Sequence, residues 1–386
     1  MLYTNARIFR GEQGFVPGGF RVEHGVFTEL TPPDCREPGD SDLGGALVLP
    51  GLIDIHTHGN SGADFSDGDP EGLRRMARFL ARNGVTGFAP ASMTLPYEVL
   101  SRAFASAAAL REEAPEDAAH LLGINMEGPF FSEKKKGAQN AAYLREPDFD
   151  AFRALYEGCG GLVRIVDIAP ELPGAVEFTR RAAALCTVSV AHTDASYEQA
   201  AAVFEAGATH LTHLYNAMPG VHHRRPGPIG AASERGQVYA ELICDGLHVH
   251  ESAVRMAFRL FPDRICLISD ALRCCGMPDG EYELGGQSVY LQGGVARLAD
   301  GTIAGSAATL CQCLRNAIAF GIPREQAIHA ATRNPARQLG LADRFGAIAP
   351  GLCADFLVCG EALELRAVYL AGRELEFEEE KETNGQ

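Results

Sequence analysis

Short apolar runs, rich in β-branched residues, recur along the middle of the chain and constrain its fold more than any other feature. They lie at residues 52–56, 85–89, 121–126, 163–168, 187–191, 209–213, 239–243 and 265–269. Helical patterns separate most of them, at residues 70–83, 97–113, 175–185, 197–205 and 252–261. Eight buried strands that alternate with helices predict an α/β fold, namely a (β/α)₈ barrel of the TIM-barrel type. A doubly wound open sheet is the alternative, but no glycine-rich dinucleotide fingerprint follows the first run.

The two ends of the chain show a different pattern, in which short strand-like pieces lie between glycine and proline turns. Residues 1–50 contain LYTNARIF and GFRVEHGVFTEL, and residues 345–386 contain FGAIAPGLCADFLVCG. We expect these two ends to pair into one small β-sandwich domain, with the barrel occupying residues 51–344. The last stretch, residues 374–386, is acidic and is expected to be a solvated tail.

Composition narrows the class of protein. The formal net charge of −16 argues against nucleic-acid binding, because nucleic-acid binders normally carry a basic face. The chain has no run of about 18 apolar residues that would predict a membrane span, and its N-terminus lacks the basic start and apolar core of a signal peptide. The 11 cysteines are scattered without a CxxC pair, which favours reduced thiols and a cytoplasmic protein.

Polar side chains that can bind a metal follow five of the predicted strands, each at the point where the strand ends. They are His56, His58, Glu127, His192, His213 and Asp270. His56 and His58 are two residues apart, so both side chains leave an extended segment on the same side. Because the catalytic side chains of a barrel collect at the carboxyl ends of its strands, we expect all of these residues to lie close together.

A set of histidines and carboxylates without a thiolate is typical of a hydrolytic site for Zn²⁺, Fe²⁺, Mn²⁺ or Co²⁺. Such a metal lowers the pKa of its bound water to about 7. Asp270 is then expected to accept the proton of that water and to return it to a leaving amine. The alternative roles for Asp270 are those of a sixth metal ligand or of a structural helix cap.

The segment PGLIDIHTHG, at residues 50–59, and the strand-end residues described above resemble the amidohydrolase superfamily. Further motifs are similar to those of the N-acetylglucosamine-6-phosphate deacetylases, a family within it. They are MEGPF (126–130), KKGAQN (135–140), AHTDA (191–195), HLYNAM (213–218), HHRRPG (222–227) and DGLHV (245–249). This resemblance implies a (β/α)₈ barrel with a small β domain, a homodimer, and hydrolysis of the acetamide of N-acetylglucosamine 6-phosphate to acetate and glucosamine 6-phosphate.

The same resemblance implies roles for the metal-capable residues. Glu127, His192 and His213 are implied as the ligands of the main metal, Zn²⁺ or Fe²⁺, and Asp270 as the catalytic acid–base. Because both His56 and His58 are present, the resemblance allows a second metal, and the choice between one and two ions per subunit stays open.

Substrate-binding residues are also implied by the resemblance. Arg224 matches an arginine that binds the substrate phosphate in the active site of the neighbouring subunit. From the chemistry of the implied reaction, His248 is expected to donate to the oxyanion of the tetrahedral intermediate. The remaining residues that match substrate-contacting or substrate-lining positions are Ala138, Gln139, Asn216, Ala217, Ile303, Ala304 and Gly305.

Three alternatives to this function stay open at the level of sequence. An N-acetylgalactosamine-6-phosphate deacetylase shares nearly every motif. A cyclic amidohydrolase or deaminase of the dihydroorotase or adenine-deaminase type shares the HxH start. Many of those enzymes have a metal-bridging lysine after strand four, but this chain reads VRIVDIAPE there, without a lysine. Glu127, after strand three, instead favours the deacetylase. A non-catalytic scaffold with the same fold is the third alternative. Such a protein is expected to have lost metal ligands or Asp270, but this chain keeps all six metal-capable residues, which argues against a scaffold.

Overall fold

The computed structural model describes residues 1–376, so most of the predicted acidic tail, from residue 377 onward, lies outside the described residues. The chain divides into two compact units. The terminal unit comprises Met1–Gly51 and the chain from Ile348 onward, and the central unit comprises Leu52–Ala347. None of the helices within residues 1–376 is long and apolar enough to cross a membrane.

Regular elements cover most of the described chain. The strands are β1 (Leu2–Phe9), β2 (Phe15–Glu23), β3 (Val26–Thr31), β4 (Ser41–Asp42), β5 (Leu47–Pro50), β6 (Leu52–Thr57), β7 (Gly59–Asn60), β8 (Ala63–Asp64), β9 (Val85–Pro90), β10 (His120–Leu121), β11 (Ile124–Met126), β12 (Val163–Ile168), β13 (Thr187–Val190), β14 (His210–Leu211), β15 (Tyr239–Ile243), β16 (Ile265–Ile268), β17 (Gly280–Leu284), β18 (Gln287–Gln292), β19 (Val295–Leu298), β20 (Phe356–Cys359), β21 (Leu365–Leu370) and β22 (Arg373–Glu374). The α-helices are α1 (Pro70–Arg82), α2 (Tyr97–Glu113), α3 (Phe149–Gly158), α4 (Ala175–Ala182), α5 (Tyr197–Glu205), α6 (Gly227–Ser233), α7 (Glu251–Leu260), α8 (Leu310–Ala319), α9 (Arg324–Ala331) and α10 (Arg333–Gln338).

Parallel strands separated by helices form the core of the central unit, which confirms the predicted α/β fold. One sheet has the order β10-β9-β6 and another has the order β11-β12-β13-β14-β15-β16, and all of these pairs are parallel. Backbone hydrogen bonds also join the two sheets. The Ser92 N–H donates to the Asn125 carbonyl at 3.0 Å, and the Asp270 N–H donates to the His56 carbonyl at 2.9 Å.

Two predicted strands differ from the observed ones. The predicted strand at residues 121–126 is divided into β10 and β11, because β10 pairs with β9 whereas β11 pairs with β12. The predicted strand at residues 209–213 is only His210–Leu211, since the backbone enters the left-handed region at His213, with φ of 27°. As a result, Glu127 directly follows the end of β11, and His213 lies two residues beyond the end of β14.

A single mixed sheet forms the terminal unit, with the order β22-β21-β20-β5-β1-β2-β3 and β4 beside β1. Aromatic side chains from both ends of the chain pack together in its core. The ring centroids of Tyr3 and Phe356 are 5.2 Å apart, and those of Tyr3 and Tyr369 are 5.5 Å apart. The two termini therefore share one hydrophobic core, while the β-sandwich arrangement stays a prediction.

Candidate active site

The strand-end residues singled out in the sequence come together at one edge of the parallel strands. Glu127 directly follows β11, whereas His192, His213 and Asp270 each lie two residues beyond the ends of β13, β14 and β16. His56 lies in β6 and His58 directly follows that strand. All of these side chains are buried, with at most 8% of the residue exposed. Parallel strands expose their carboxyl ends at one edge, which explains the convergence of residues far apart in sequence.

Glu127, His192 and His213 form the tightest group. Glu127 Oε1 lies 3.0 Å from His192 Nε2 and 3.2 Å from His213 Nε2, and the two histidine nitrogens are 3.0 Å apart. Ligand atoms bound to one divalent ion at about 2.0–2.2 Å lie roughly 3.0–3.5 Å from one another. The spacing and the chemistry of these three atoms therefore fit a divalent metal.

His56, His58 and Glu127 form a second group of potential ligands, in which the candidate atoms lie within 4.8 Å of one another. His58 Nε2 is 3.2 Å from Glu127 Oε2 and 3.3 Å from Asp270 Oδ1. His56 Nε2 is buried and has no hydrogen-bond partner. A buried ring nitrogen without a partner leaves its lone pair available, which again suits a bound cation. Glu127 lies between the two groups, with Oε1 facing His192 and His213 and Oε2 facing His58.

In three of these histidines, the other ring nitrogen contacts an oxygen atom that can only accept hydrogen bonds. Nδ1 of His58 is 3.2 Å from the Ala91 carbonyl, and Nδ1 of His192 is 2.9 Å from the Lys135 carbonyl. Nδ1 of His56 is 2.9 Å from Glu241 Oε2. Each contact places the ring proton on Nδ1 and leaves Nε2 as the potential ligand atom, as in known metal-binding histidines.

The electrostatic environment of the site favours positive charge. Burial lowers the pKa of His58, but the carboxylates of Asp270 and Glu127 outweigh it and raise that pKa to about 10. Burial raises the pKa of Glu127, but His56 and the hydrogen bonds from His192 and His213 hold it well below its usual value. Burial lowers the pKa of His192, which favours the neutral, ligating imidazole. A divalent cation can take the place of the protons that these carboxylates otherwise attract.

Three residues of the site have unusual backbone conformations. The φ angles of His192, His213 and Asp270 are 42°, 27° and 49°. Residues other than glycine rarely adopt this left-handed region, and such strain clusters at functional sites. In each case the chain turns sharply after a strand.

A cavity of about 230 Å³ opens above these groups. The predicted site residues that line it are His58, Glu127, Ala138, Gln139, His192, His213, Asn216, Ala217, His248, Asp270, Ile303 and Gly305. His56 and Ala304 are not in its lining, since both are fully buried. The cavity is also lined by residues that the sequence analysis did not single out, namely Met93, Gly137, Leu272, Leu284 and Thr302.

Gln139 and His248 have specific partners in the cavity wall. The Gln139 side-chain amide donates to Glu127 Oε2 at 2.8 Å, and its oxygen accepts from the Thr94 N–H at 2.7 Å. His248 Nδ1 lies 2.7 Å from Asp245 Oδ2. These contacts hold both side chains in place at the cavity. The predicted sugar contact of Gln139 stays a prediction, and its observed contact is with Glu127.

Arg224 is a predicted site residue that lies away from the cavity and lines a different one. It lines a separate cavity together with Tyr197 and Arg225, and its guanidinium donates to His223 Nε2 at 2.8 Å. Within residues 1–376, neither arginine nor lysine lines the cavity that holds the metal-capable residues. One copy of the chain therefore supplies no such cation to that cavity wall.

Comparison with known proteins agrees with this geometry. The amidohydrolase family matches residues 47–375. The N-acetylglucosamine-6-phosphate deacetylase of Bos taurus is 37% identical over 390 residues, covering 96% of this chain and 94% of that protein. The N-acetylgalactosamine-6-phosphate deacetylase of Escherichia coli O157:H7 is 34% identical over 376 residues, covering 96% of this chain and 98% of that protein.

A solved structure is similar over nearly the whole chain. It is the N-acetyl-D-glucosamine-6-phosphate deacetylase of Mycobacterium smegmatis, determined as a variant in complex with N-acetyl-D-glucosamine-6-phosphate. The TM-score is 0.91 at 34% sequence identity, and the match covers 97% of this chain and 99% of that chain.

Replacement of Glu127 tests whether its carboxylate holds the two groups of histidines around a metal. Glu127→Gln keeps the side-chain volume but removes the charge that faces His192, His213 and His58, so the purified variant should lose most of its bound metal. Elemental mass spectrometry measures the metal content per chain. Glu133→Gln, at an exposed position in the following loop, is the control and should keep the wild-type content. Full metal content in Glu127→Gln would contradict this assignment.

Proposed function

The chain belongs to the amidohydrolase family, and we propose that it hydrolyses the acetamide of N-acetylglucosamine 6-phosphate to glucosamine 6-phosphate and acetate. The observation that carries this proposal is the convergence of Glu127, His192 and His213 beside Asp270 in one cavity. The extensive similarity to deacetylases, one of them solved with this phosphorylated amino sugar, supports the choice of substrate.

We propose that the parallel strands close into a (β/α)₈ barrel over residues 51–344, with a small β-sandwich domain built from residues 1–50 and 345–386. The backbone hydrogen bonds that join the two parallel sheets support closure of the barrel. The aromatic contacts of Tyr3 with Phe356 and Tyr369, which join the two ends of the chain, support the small domain.

We propose that Glu127, His192 and His213 would hold a divalent metal, Zn²⁺ or Fe²⁺, and that His56 and His58, together with Glu127, would hold a second one. A metal bound there would supply Lewis acidity toward water and toward the carbonyl group of the substrate. The separation of the ligand atoms and the unpartnered Nε2 of His56 support this assignment.

Asp270 is the proposed general base and general acid. Burial raises its pKa, but the hydrogen bond from His58 and the charges of His56 and His58 together outweigh burial and hold the pKa below its usual value, so the carboxylate is ionised at neutral pH. Asp270 accepts a proton as water adds to the acetyl carbon. It then donates that proton to the amide nitrogen, because an amine leaves far more readily once protonated. The C–N bond breaks, and the products are acetate and the free amine.

His248 and the other lining residues are proposed to bind the substrate. Asp245 accepts from Nδ1 of His248, which leaves the other side of the ring to donate to the developing oxyanion when that nitrogen is protonated. We assign the sugar and its acetamide to the walls formed by the set Ala138, Gln139, Asn216, Ala217, Ile303, Ala304 and Gly305. Most of these residues line the cavity.

The phosphate needs a cation that the cavity wall of one chain does not provide. We propose a homodimer in which Arg224 of the partner subunit binds the phosphate, since guanidinium can pair with two phosphate oxygens at once. The position of Arg224 in a separate cavity of its own chain supports this arrangement. We also propose a cytoplasmic location, which the 11 free cysteines support.

N-acetylgalactosamine 6-phosphate is the second candidate substrate. The relative from Escherichia coli O157:H7 that carries this name matches 96% of the chain at 34% identity. The two substrates differ only in the configuration of one hydroxyl group, so direct comparison of the two rates decides between them. The similarity to deacetylases over nearly the whole chain argues against both the cyclic amidohydrolase and the non-catalytic scaffold.

Asp270→Asn tests the proposed acid–base. Asparagine keeps the shape but cannot carry the proton, so kcat for acetate release from N-acetylglucosamine 6-phosphate should fall by about 10²–10⁴-fold. The galacto epimer and unphosphorylated N-acetylglucosamine are assayed alongside, and the wild type should prefer the phosphorylated gluco substrate. Asp263→Asn, at an exposed position, is the matched control and should keep wild-type activity. An Asp270→Asn variant that releases acetate at the wild-type rate would remove Asp270 from the mechanism.

Mixing of two inactive variants tests the contribution of Arg224 from the partner subunit. Arg224→Ala should lose activity because no cation meets the phosphate, and Asp270→Asn should lose it at the acid–base step. A mixed dimer then contains one complete site, with Asp270 from one chain and Arg224 from the other. Random reassociation of equal amounts should restore about one quarter of the wild-type activity, as expected for a two-fold symmetric dimer. If Arg224 serves its own chain, mixing restores no activity.

A further inference from the structure

Glu241, which the sequence analysis did not single out, contacts two residues of the proposed metal site. It lies in β15 and is fully buried. Its Oε2 lies 2.9 Å from Nδ1 of His56 and accepts from the backbone N–H of His213 at 3.1 Å. Its Oε1 lies 3.2 Å from Nε2 of His210. Both oxygens of this carboxylate are therefore engaged by nitrogen atoms, and one oxygen contacts both groups of potential metal ligands.

The contact with His56 determines which nitrogen of that ring is free. An ionised carboxylate only accepts hydrogen bonds, so Nδ1 of His56 carries the shared proton. Nε2 then presents a lone pair, 3.6 Å from Glu127 Oε1 and 3.7 Å from Asp270 Oδ1. Glu241 thus selects the tautomer in which His56 can bind a metal.

The contacts with the chain around His213 hold a strained backbone. The φ angle of 27° at His213 is unfavourable for a side-chain-bearing residue and needs support from its surroundings. Glu241 supports it from two directions, because its side chain accepts from the His213 N–H and its backbone carbonyl accepts from the Leu214 N–H at 2.9 Å.

A hydrogen-bonded chain continues beyond Glu241 and fixes the carboxylate itself. His210, which contacts Glu241 Oε1, lies with its Nδ1 3.0 Å from Oε1 of Gln338 at the end of α10. All of these groups are buried. Buried polar networks of this kind are rigid when every member has a partner, so Glu241 has little freedom to move away from His56.

We infer that Glu241 is a positioning residue of the metal site, which sets the tautomer of His56 and the backbone of His213 and thereby preorganises both groups of ligands. This inference rests on the metal site of the proposed function. It concerns metal uptake by the chain and makes no assumption about the substrate.

The test measures metal binding without substrate. Full-length protein is stripped with a chelator, and its affinity and stoichiometry for Zn²⁺ are measured by competition with a chromophoric chelator. Glu241→Gln keeps the side-chain volume but is neutral and can present an N–H to His56, so the required tautomer is no longer enforced. We expect the Kd for Zn²⁺ to rise by about 10–100-fold, as for other residues that orient metal ligands.

Asp167→Asn is the matched control. Asp167 is another fully buried acidic residue of the same core, and its side chain accepts from the Thr212 hydroxyl at 3.1 Å. This variant should bind Zn²⁺ as the wild type does, because it replaces a buried carboxyl group by an amide without removing a contact to His56. An equal loss of affinity in both variants would mean that any such replacement in the core weakens metal binding, and would overturn the inference.

A double-variant comparison shows whether Glu241 acts through His56. The increase in Kd caused by Glu241→Gln should be smaller in a His56→Asn background than in the wild type. In that background Glu241 can act on the metal site only through the His213 backbone and no longer through His56. An undiminished increase would contradict action through His56. Wild-type affinity in Glu241→Gln alone would overturn the inference outright.

A second measurement keeps the inference testable if Glu241→Gln does not fold. The ring ¹⁵N resonances of His56, assigned by comparison with His56→Asn, report the tautomer in the Zn²⁺-loaded wild type. We expect a proton on Nδ1, and a proton on Nε2 would overturn the inference. A wild-type chain that takes up no metal would contradict the proposed function as well, whereas unaltered binding in Glu241→Gln would contradict only the role of Glu241.

Discussion

The carboxylate of Glu127 makes the contacts on which the rest of the site depends. One oxygen faces His192 and His213 at 3.0 and 3.2 Å, and the other faces His58 at 3.2 Å. An anion in this buried position is stable only when positive charge or hydrogen-bond donors surround it. The fold supplies imidazoles from three other strand ends, and the carboxylates attract protons to them, as the raised pKa of His58 shows. A divalent cation can take the place of these protons and balance the buried carboxylates.

Construction of such a site places demands on the scaffold. Three of its residues adopt left-handed backbone conformations, and the surrounding strands must hold them there. The histidine rings are fixed on their far sides by the Ala91 and Lys135 carbonyls and by Glu241. A set of parallel strands meets these demands because backbone hydrogen bonds hold neighbouring strands in register. The geometry of the site therefore depends on residues that lie outside the lining of its cavity.

The sequence predicted the strands and the metal-capable residues well, because both leave local signals. Apolar runs mark buried strands, and a histidine or carboxylate directly after such a run is visible without a structure. The predicted ends of the strands were less accurate at residues 121–126, where β10 pairs with β9 but β11 pairs with β12. Which strand a segment pairs with depends on tertiary contacts, which leave no local signal in the sequence. The left-handed turn at His213 was likewise invisible, because nothing in HLTHLYNAM marks it.

Other parts of the site depend on contacts between distant residues. Gln139 lies against Glu127, a contact that the motif KKGAQN does not reveal. Glu241 can be recognised in the sequence as a charged residue inside the otherwise mainly apolar run YAELI, which is typical of a buried polar side chain with a specific partner. Arg224 could be singled out only through its resemblance to a family motif. Its separation from the cavity became evident from the structure, and its proposed action on a partner subunit requires knowledge of the dimer.

Anomalous diffraction from a crystal of the metal-loaded protein shows whether Glu127, His192 and His213 hold the metal. Data collected on both sides of the absorption edge locate the metal without reference to the protein atoms. We expect a peak at about 2.0–2.2 Å from His192 Nε2, His213 Nε2 and Glu127 Oε1. Occupancy of a second peak beside His56 and His58 decides between one and two ions. A fully metal-loaded crystal with its peak elsewhere, and none beside Glu127, would contradict the account.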